Sequence, residues 1–590
     1  MLVLSRSSAY SKEIVDIPSN VSVNKKGYVY FNSATFWTDS KDMSHKYADH
    51  TKVCIGKILF PGSIWTDDPR MHPNSNYFKI FDVDKLPETP DRADSISVGV
   101  LSAVSSLSTE TGLSQMLTAV FGEEDSRLIL DLSMYMLVHE SAVFQHYPHW
   151  ARSHALFSEK IRSDSYISVF EREQLTIPKI NQFKTLWAKK VIGDGKLYFC
   201  YDSTNVNSQA EGAFLVEKGH AKDDPSLCQV NTDYVVRQSD GLPVTFTAFP
   251  GSINDMAEAS EMISFFEKLI GSEEWHSKEP EITLISDRGY ISEENVSLMD
   301  DAGIGFLLML RRNMGITDAM LEEHAEEIRS SVNYIADRDQ YAKSFMAPLF
   351  DGDERERCFH IIWDPVLETR HRRCLFTEID NTEKRIRKLI ERKTKVSMEE
   401  AQRYSNWFTL KVVECGTLKA KKRGRGKGTT DVAAYTISSV EKNTEAIDLD
   451  LLKCGYYILV TSKEMSANEA LLAYSKRDCV EKVFMALKSF LGMDKIGTQT
   501  DESIHAKTMI WFVAAILHSK IFSKTNELRM TDRKTFTVPS IIDLLEEIAS
   551  DKNLSTMQYE RRYKPNKKQN SILKALSITV QEIDERIATL

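Results

Sequence analysis

The chain has 590 residues, 42% of them hydrophobic and 27% charged, and a formal net charge of −10. That length exceeds one ordinary core and predicts about two to four domains. The acidic balance argues against a protein that coats nucleic acid, though it leaves room for local cationic patches. No run is long enough to span a membrane, and the opening MLVLSRSSAYSKE has too short an apolar stretch for a signal peptide. The eight cysteines are scattered, without a close CxxC pair, which argues against a disulfide framework or zinc site and fits a reducing cytoplasm.

Taken in order, 1–95 reads as a small β-rich module followed by a linker. VSVNKKGYVYF and KVCIGKILFPGS carry turn signals and alternating runs, with Lys25, Lys26, Lys52 and Lys57 on basic edges. Those lysines suit DNA contact or the protection of edge strands equally well. Residues 61–95, rich in Pro, Asp and Asn, read as linker. Residues 96–192 have a helical pattern, strongest in SRLILDLSMYMLVHESAVF, and form the region expected to grip DNA ends. His139, His146, His149 and His154 match no standard zinc spacing and read as packing material.

Residues 193–313 change character. KLYFCYD predicts a strand over 196–202, and TDYVVRQ and PVTFTAF flank the hairpin signal Ser239-Asp240-Gly241-Leu242. DMAEASEMISFFEKLI predicts an amphipathic helix, EITLISD a strand ending at Asp287, SEENVSLMDDAG a short helix, and IGFLLMLRR a fifth strand. Three antiparallel strands followed by crossovers define an α/β fold of ribonuclease-H-like order. Residues 314–465 then interrupt it. CFHIIWD, NWFTLKVV, AAYTIS and YYILVTS make this stretch a β-rich insertion domain, with a cationic loop, LKAKKRGRGKGTT. Residues 466–530 complete the catalytic domain, and 531–590 form a C-terminal helical tail with the basic segment YERRYKPNKKQN.

The helix completing that domain is YSKRDCVEKVFMALK, in which Tyr474, Arg477, Glu481 and Lys488 fall on one face. Read alone, it is also a surface helix with an Arg477–Glu481 ion pair. Asp202 and Asp287 each follow apolar strand residues. Singly, they also read as a turn residue and a cap. In the expected sheet the first and fourth strands are neighbours, so the two acids lie side by side, and the late helix delivers Glu481. Three convergent carboxylates repel unless divalent cations neutralise them, and two hard ions suit an in-line displacement at phosphorus. Asp202, Asp287 and Glu481 are therefore the expected catalytic and metal-binding set, with two Mg²⁺ as cofactor and Mn²⁺ as a substitute.

With these residues assembled, the chain resembles a bacterial or archaeal insertion-sequence transposase of the DDE class. It is similar to the IS-four-like group, marked by Tyr, Arg, Glu and Lys at the spacing of Tyr474, Arg477, Glu481 and Lys488. YFCYDSTNV and LISDRGY are similar to the family's two Asp motifs. The resemblance implies cut-and-paste transposition: cleavage at terminal inverted repeats and transfer of the 3′ ends to target DNA, on double-stranded DNA and as a homodimer, in a prokaryotic cytoplasm. It also implies phosphate contacts by Tyr474, Arg477 and Lys488, with Arg288 beside the second acid. The charges of Arg477 and Lys488 suit that role independently. Some relatives stack a Trp on a flipped base. The equivalent strand here has Tyr456 and Tyr457, and Tyr457 takes that place, ordinary strand packing being the other reading. Trp363 and Trp407 read as core. The loop cations Lys421, Lys422, Arg423 and Arg425 suit a phosphate backbone, or a solvated loop. The alternatives are a metal-dependent nuclease or resolvase without strand joining, and a DNA-binding protein without catalysis.

Overall fold

The structure is a computed structural model. It describes residues 10–11, 13–39, 42–60, 69–81, 92–193, 195–219, 226–253, 255–271, 281–312, 314–421, 429–553, 556 and 558–590. Side chains are described for all of these except 33–39, 42–51, 79, 255–256, 420–421 and 429–430. The chain divides into two units, Met1–Ala93 and Asp94–Leu590.

The first unit is an antiparallel sheet. Its strand order is Val15–Asp16, Arg70–Pro73, Asp42–Ile58, Tyr28–Asp39 and Val21–Val23. The expected turn is present, with Gly27 at φ 81°, the left-handed region that glycine enters without a Cβ penalty. Val29, Ile55, Ile58 and Met71 form a small core. Part of the expected linker is ordered structure: the Arg70–Pro73 strand and a helix, Ser75–Phe81. Asn74 explains the misreading. Its buried amide accepts from Asn76 N and Tyr77 N and donates to Cys54 O, so a residue typical of loops starts a helix and ties it to the sheet.

The second unit opens with helices that include Gly99–Glu110, Leu113–Phe121, Glu123–His139, Asp164–Glu173 and Ile177–Val191. They pack around Asp501–Lys524, which is apolar on nearly every side and buried from Ser503 to Ser519 almost without interruption. Of the four histidines, His154 packs: it stacks on Trp150 at 4.1 Å and its Nε2 lies 2.7 Å from Glu546 Oε2, whereas His139, His146 and His149 are exposed.

The main sheet has ten strands among the described residues. Leu242–Pro250, Cys228–Arg237, Lys196–Ser208, Glu281–Ser286 and Gly305–Met309 lie in that order. Among the first three each neighbouring pair is antiparallel, and the last two run parallel to Lys196–Ser208. The first strand continues six residues past Asp202, to Ser208, so Asp202 is mid-strand rather than at its end. Hydrophobicity alone hides this extension because its residues are polar. They are nonetheless buried: Asn205 Nδ2 donates across to Gln229 Oε1, and Gln229 Nε2 in turn donates along its own strand to Asn231 Oδ1.

All four strands expected between 314 and 465 are present, but they divide into two sets. Glu356–Trp363 and Tyr456–Thr461 join the main sheet, the latter pairing antiparallel with Gly305–Met309. Phe408–Lys421 and Thr429–Lys442 form a separate hairpin against the long helix Pro365–Glu391, with Ile379, Ile386, Phe408 and Ile437 in their own small core.

Candidate active site

Asp202 stands on a strand, and Asp287 directly follows the neighbouring parallel one. Ile285 pairs with Cys200, and two residues further along each chain are Asp287 and Asp202. Asp202 is held from two sides: Ser203 N donates to its Oδ1 at 2.8 Å, and the Tyr290 hydroxyl approaches the same oxygen at 3.4 Å. Asp287 directly follows its strand, and its Oδ1 accepts from Arg288 N at 2.7 Å. The short turn that carries it is clamped by Arg311, whose Nε donates to Arg288 O and whose Nη2 donates to Gly289 O.

The expected single helix Tyr474–Lys488 is two helices, Ala467–Ser475 and Asp478–Phe490, broken at Lys476–Arg477. Neither Gly nor Pro marks the break. In a continuous α-helix Arg477 N would bond Ala473 O. Here Arg477 N bonds Tyr474 O at 3.0 Å, and Ala473 O accepts from Lys476 N at 3.3 Å and from the side chain of Gln238 at 2.8 Å. The ladder tightens to i→i−3 bonds at the break, and a residue of the distant hairpin shares the carbonyl that Arg477 N would otherwise use. Tyr474 thus closes one helix while Arg477 stands at the start of the next, and only Glu481 and Lys488 share a helix. They lie seven residues apart, about 10 Å along its axis.

The break aims Arg477 into the acids. Its Nη1 lies 3.5 Å from Asp202 Oδ2 and its Nη2 bonds Glu481 Oε1 at 2.8 Å. Burial alone would lower the guanidinium pKa, but Tyr474, Asp202, Asp287 and Glu481 together outweigh it and raise it. The Tyr474 ring lies 5.8 Å beneath the guanidinium. Burial pushes the Tyr474 phenol up, and Asp287 adds to that while Arg477 opposes it. Among the described residues no three His, Cys, Asp or Glu side chains are grouped closely enough to hold one ion. Arg477 stands between Asp202 and Glu481.

Tyr456 and Tyr457 differ. The Tyr456 hydroxyl donates to Ala325 O and accepts from Arg329 Nε, so it is tied into the core. Tyr457 lines a cavity of about 250 Å³ with Arg288, Arg312 and His371, and burial, then Asp364, pushes its phenol up to about 12. Trp363 packs under Arg329 and against Tyr341, and Trp407 Nε1 donates to Asp450. Lys421 ends its hairpin strand, with a side chain outside those described; Lys422, Arg423 and Arg425 lie outside the described residues. Sequence reasoning missed Tyr290, Arg311 and Gln238. Only Arg311, the first of a charged pair directly after a buried strand, carried a local signal.

The fold mixes helices and sheets, with Asp202 and Asp287 at neighbouring strands and Glu481 on a late helix. Residues 194–517, more than half the chain, match the family described as Transposase DDE domain. The chain belongs to this family of transposases, which implies a polynucleotidyl transferase or nuclease. DDE transposases generally use divalent metal ions. No curated protein matches the chain. Among solved structures it is similar to a piggyBac transposase synaptic complex with hairpin DNA, at 10% identity and a TM-score of 0.31, covering 83% of this chain and 75% of that one. A likeness that distant carries no argument. No described helix is long and apolar enough to cross a membrane.

Proposed function

We propose that the chain is a cut-and-paste DNA transposase of the insertion-sequence type, cleaving element ends at terminal inverted repeats and joining the 3′ ends to target DNA. The carrying observation is that Asp202, on its strand, and Asp287, directly after the neighbouring parallel strand, each lie two residues past the paired Cys200 and Ile285, with Arg477 linking Asp202 to Glu481. The strand order supports a ribonuclease-H-like catalytic core, and family membership supports transposition. The proposed division is 1–95, 96–192, 193–313, 314–465, 466–530 and 531–590.

The donor set fits a hard divalent cation, since all three side chains offer carboxylate oxygen and two are already adjacent. Asp202, Asp287 and Glu481 would hold Mg²⁺, with Mn²⁺ as substitute. When bound, the metal stabilises charge on the attacking and leaving oxygens at phosphorus. The protein's own groups position the DNA. Arg477 and Lys488 offer cations to phosphate, Arg288 flanks Asp287, and Tyr474 supports Arg477 from below. Tyr457, beside Arg288 and Arg312, offers a ring to a displaced base. The cations of 421–425 suit the DNA backbone. Cutting two ends in concert implies a homodimer, working in the prokaryotic cytoplasm.

The test is strand transfer with a duplex taken from the inverted repeats that flank the coding region. Mg²⁺-dependent nicking and joining to a target plasmid are expected, with Asp202→Asn, Asp287→Asn and Glu481→Gln each losing at least about 10³-fold. Cleavage without joining would make the protein a nuclease. DNA binding without cleavage would make it a binding protein.

A further inference from the structure

We propose that Arg477 is a placeholder cation: without DNA its guanidinium holds Asp202 and Glu481 and keeps divalent ions out, and a DNA phosphate draws it away, so that the acids take metal only on DNA. This rests on the reading of Asp202, Asp287 and Glu481 as the metal set.

Four observations carry it. The guanidinium lies between two of the three acids, at 3.5 Å from Asp202 and 2.8 Å from Glu481, where a shared ion would otherwise lie. Its side chain is only 15% exposed, so it is committed to that position rather than wandering at the surface. The two acids are unequally free. Asp202 is 22% exposed and fixed by Ser203 N and Tyr290, whereas Glu481 is 57% exposed and has room to turn. The backbone break gives Arg477 this aim, and Gln238 maintains the break.

The exchange is coupled by charge. Arg477 leaving alone would strand a half-buried cation and uncover repelling acids, and metal arriving alone would crowd the guanidinium. A phosphate solves both problems. A guanidinium fork that grips carboxylates grips phosphate oxygens equally well, and the vacated carboxylates then meet the metal. Coupling of this kind is reciprocal, so metal also tightens DNA, typically by about 5–150-fold. The arrangement would keep a nuclease site inactive until its substrate arrives.

The test uses full-length protein and Mn²⁺ alone, without DNA, with free Mn²⁺ read by electron paramagnetic resonance. Arg477→Met, which keeps much of the aliphatic stem, is expected to bind Mn²⁺ at least about tenfold tighter than wild type, within the range of such couplings. Arg477→Lys, which keeps a charge, should stay near wild type. Arg477→Gln serves if the methionine variant does not fold, as judged by its melting curve. Equal or weaker Mn²⁺ binding in the neutral variants overturns the placeholder role but leaves the catalytic reading intact. A gain that survives addition of Asp202→Asn places the cation elsewhere and overturns both.

Discussion

The side chain of Gln238 is predicted to matter more for chemistry than for stability. Gln238→Leu removes the donor to Ala473 O, a bond of 2.8 Å that sustains the break at Lys476–Arg477. A lost hydrogen bond costs about 1 kcal/mol net. At about 2.1 cal/mol/K per residue, a unit of roughly 500 residues melts with an entropy near 1 kcal/mol/K, so Tm should fall by only about 1 °C. The carbonyl keeps its bond from Lys476 N at 3.3 Å and can also take Arg477 N, which reduces the cost further. Taking Arg477 N straightens the helix and carries the guanidinium away from Asp202. A displacement of about 1 Å in a positioning group costs on the order of 10²-fold in rate. The assay is Mg²⁺-dependent nicking of the terminal duplex beside a thermal melt. A variant with wild-type nicking would refute the role of the break, and a fall of many degrees in Tm would show that Gln238 is structural.

Other outcomes follow from the same geometry. Asp233 is buried, and burial first of all raises its carboxyl to about 6; Glu258 is raised by burial, then by Asp233, to about 7. Both folded values exceed the unfolded ones, so the native state holds the extra protons. The Asp233 contribution is therefore fully present below about pH 4 and is lost as pH climbs through about 6, by roughly 2–3 kcal/mol. The buried His360 and His518, both lowered by burial to about 4, act in the opposite sense over the same range, so the check is the difference between wild type and Asp233→Asn. Urea midpoints should show the wild type losing ground to the variant as pH rises from about 4 to 7, and a constant difference contradicts it. The Asp501 carboxylate accepts from Phe214 N and Leu215 N, both at 2.9 Å. Asp501→Ala should speed hydrogen exchange at those amides at least about tenfold, since each bond to a charged acceptor contributes about 1.5–3 kcal/mol; unchanged exchange would mean the loop is held by other contacts. Arg311→Ala should loosen the Asp287 turn and lower nicking with little change in Tm, whereas unaltered nicking would make the clamp incidental.

The strands leading to Asp202 and Asp287 and their order in the sheet were legible because they rest on local signals, apolar runs and a hairpin turn. Three features were not. The break before Arg477 depends on Gln238, which lies far away in sequence and carries no mark of its role. The strand beyond Asp202 is mostly polar and yet buried, with Gln229 answering Asn205 across the sheet and Asn231 bracing Gln229. The strand Tyr456–Thr461 reads alike whether it joins an inserted sheet or the central one; pairing with Gly305–Met309 decides, and pairing is a long-range choice.

That last pairing has an architectural consequence. Trp363 lies directly across from Tyr456, so the chain leaves the central sheet and returns to it at adjacent points. Paired residues of antiparallel strands stand about 5 Å apart, a gap that a tight turn spans. The intervening helix Pro365–Glu391 and hairpin, with a core of their own, therefore sit on a two-strand stem. The root of that helix is tied to the central unit, Glu368 to Arg329 and His371 to Arg312, so only the outer part around Ile379, Ile386, Phe408 and Ile437 is placed to vary without disturbing the strands that carry the acids.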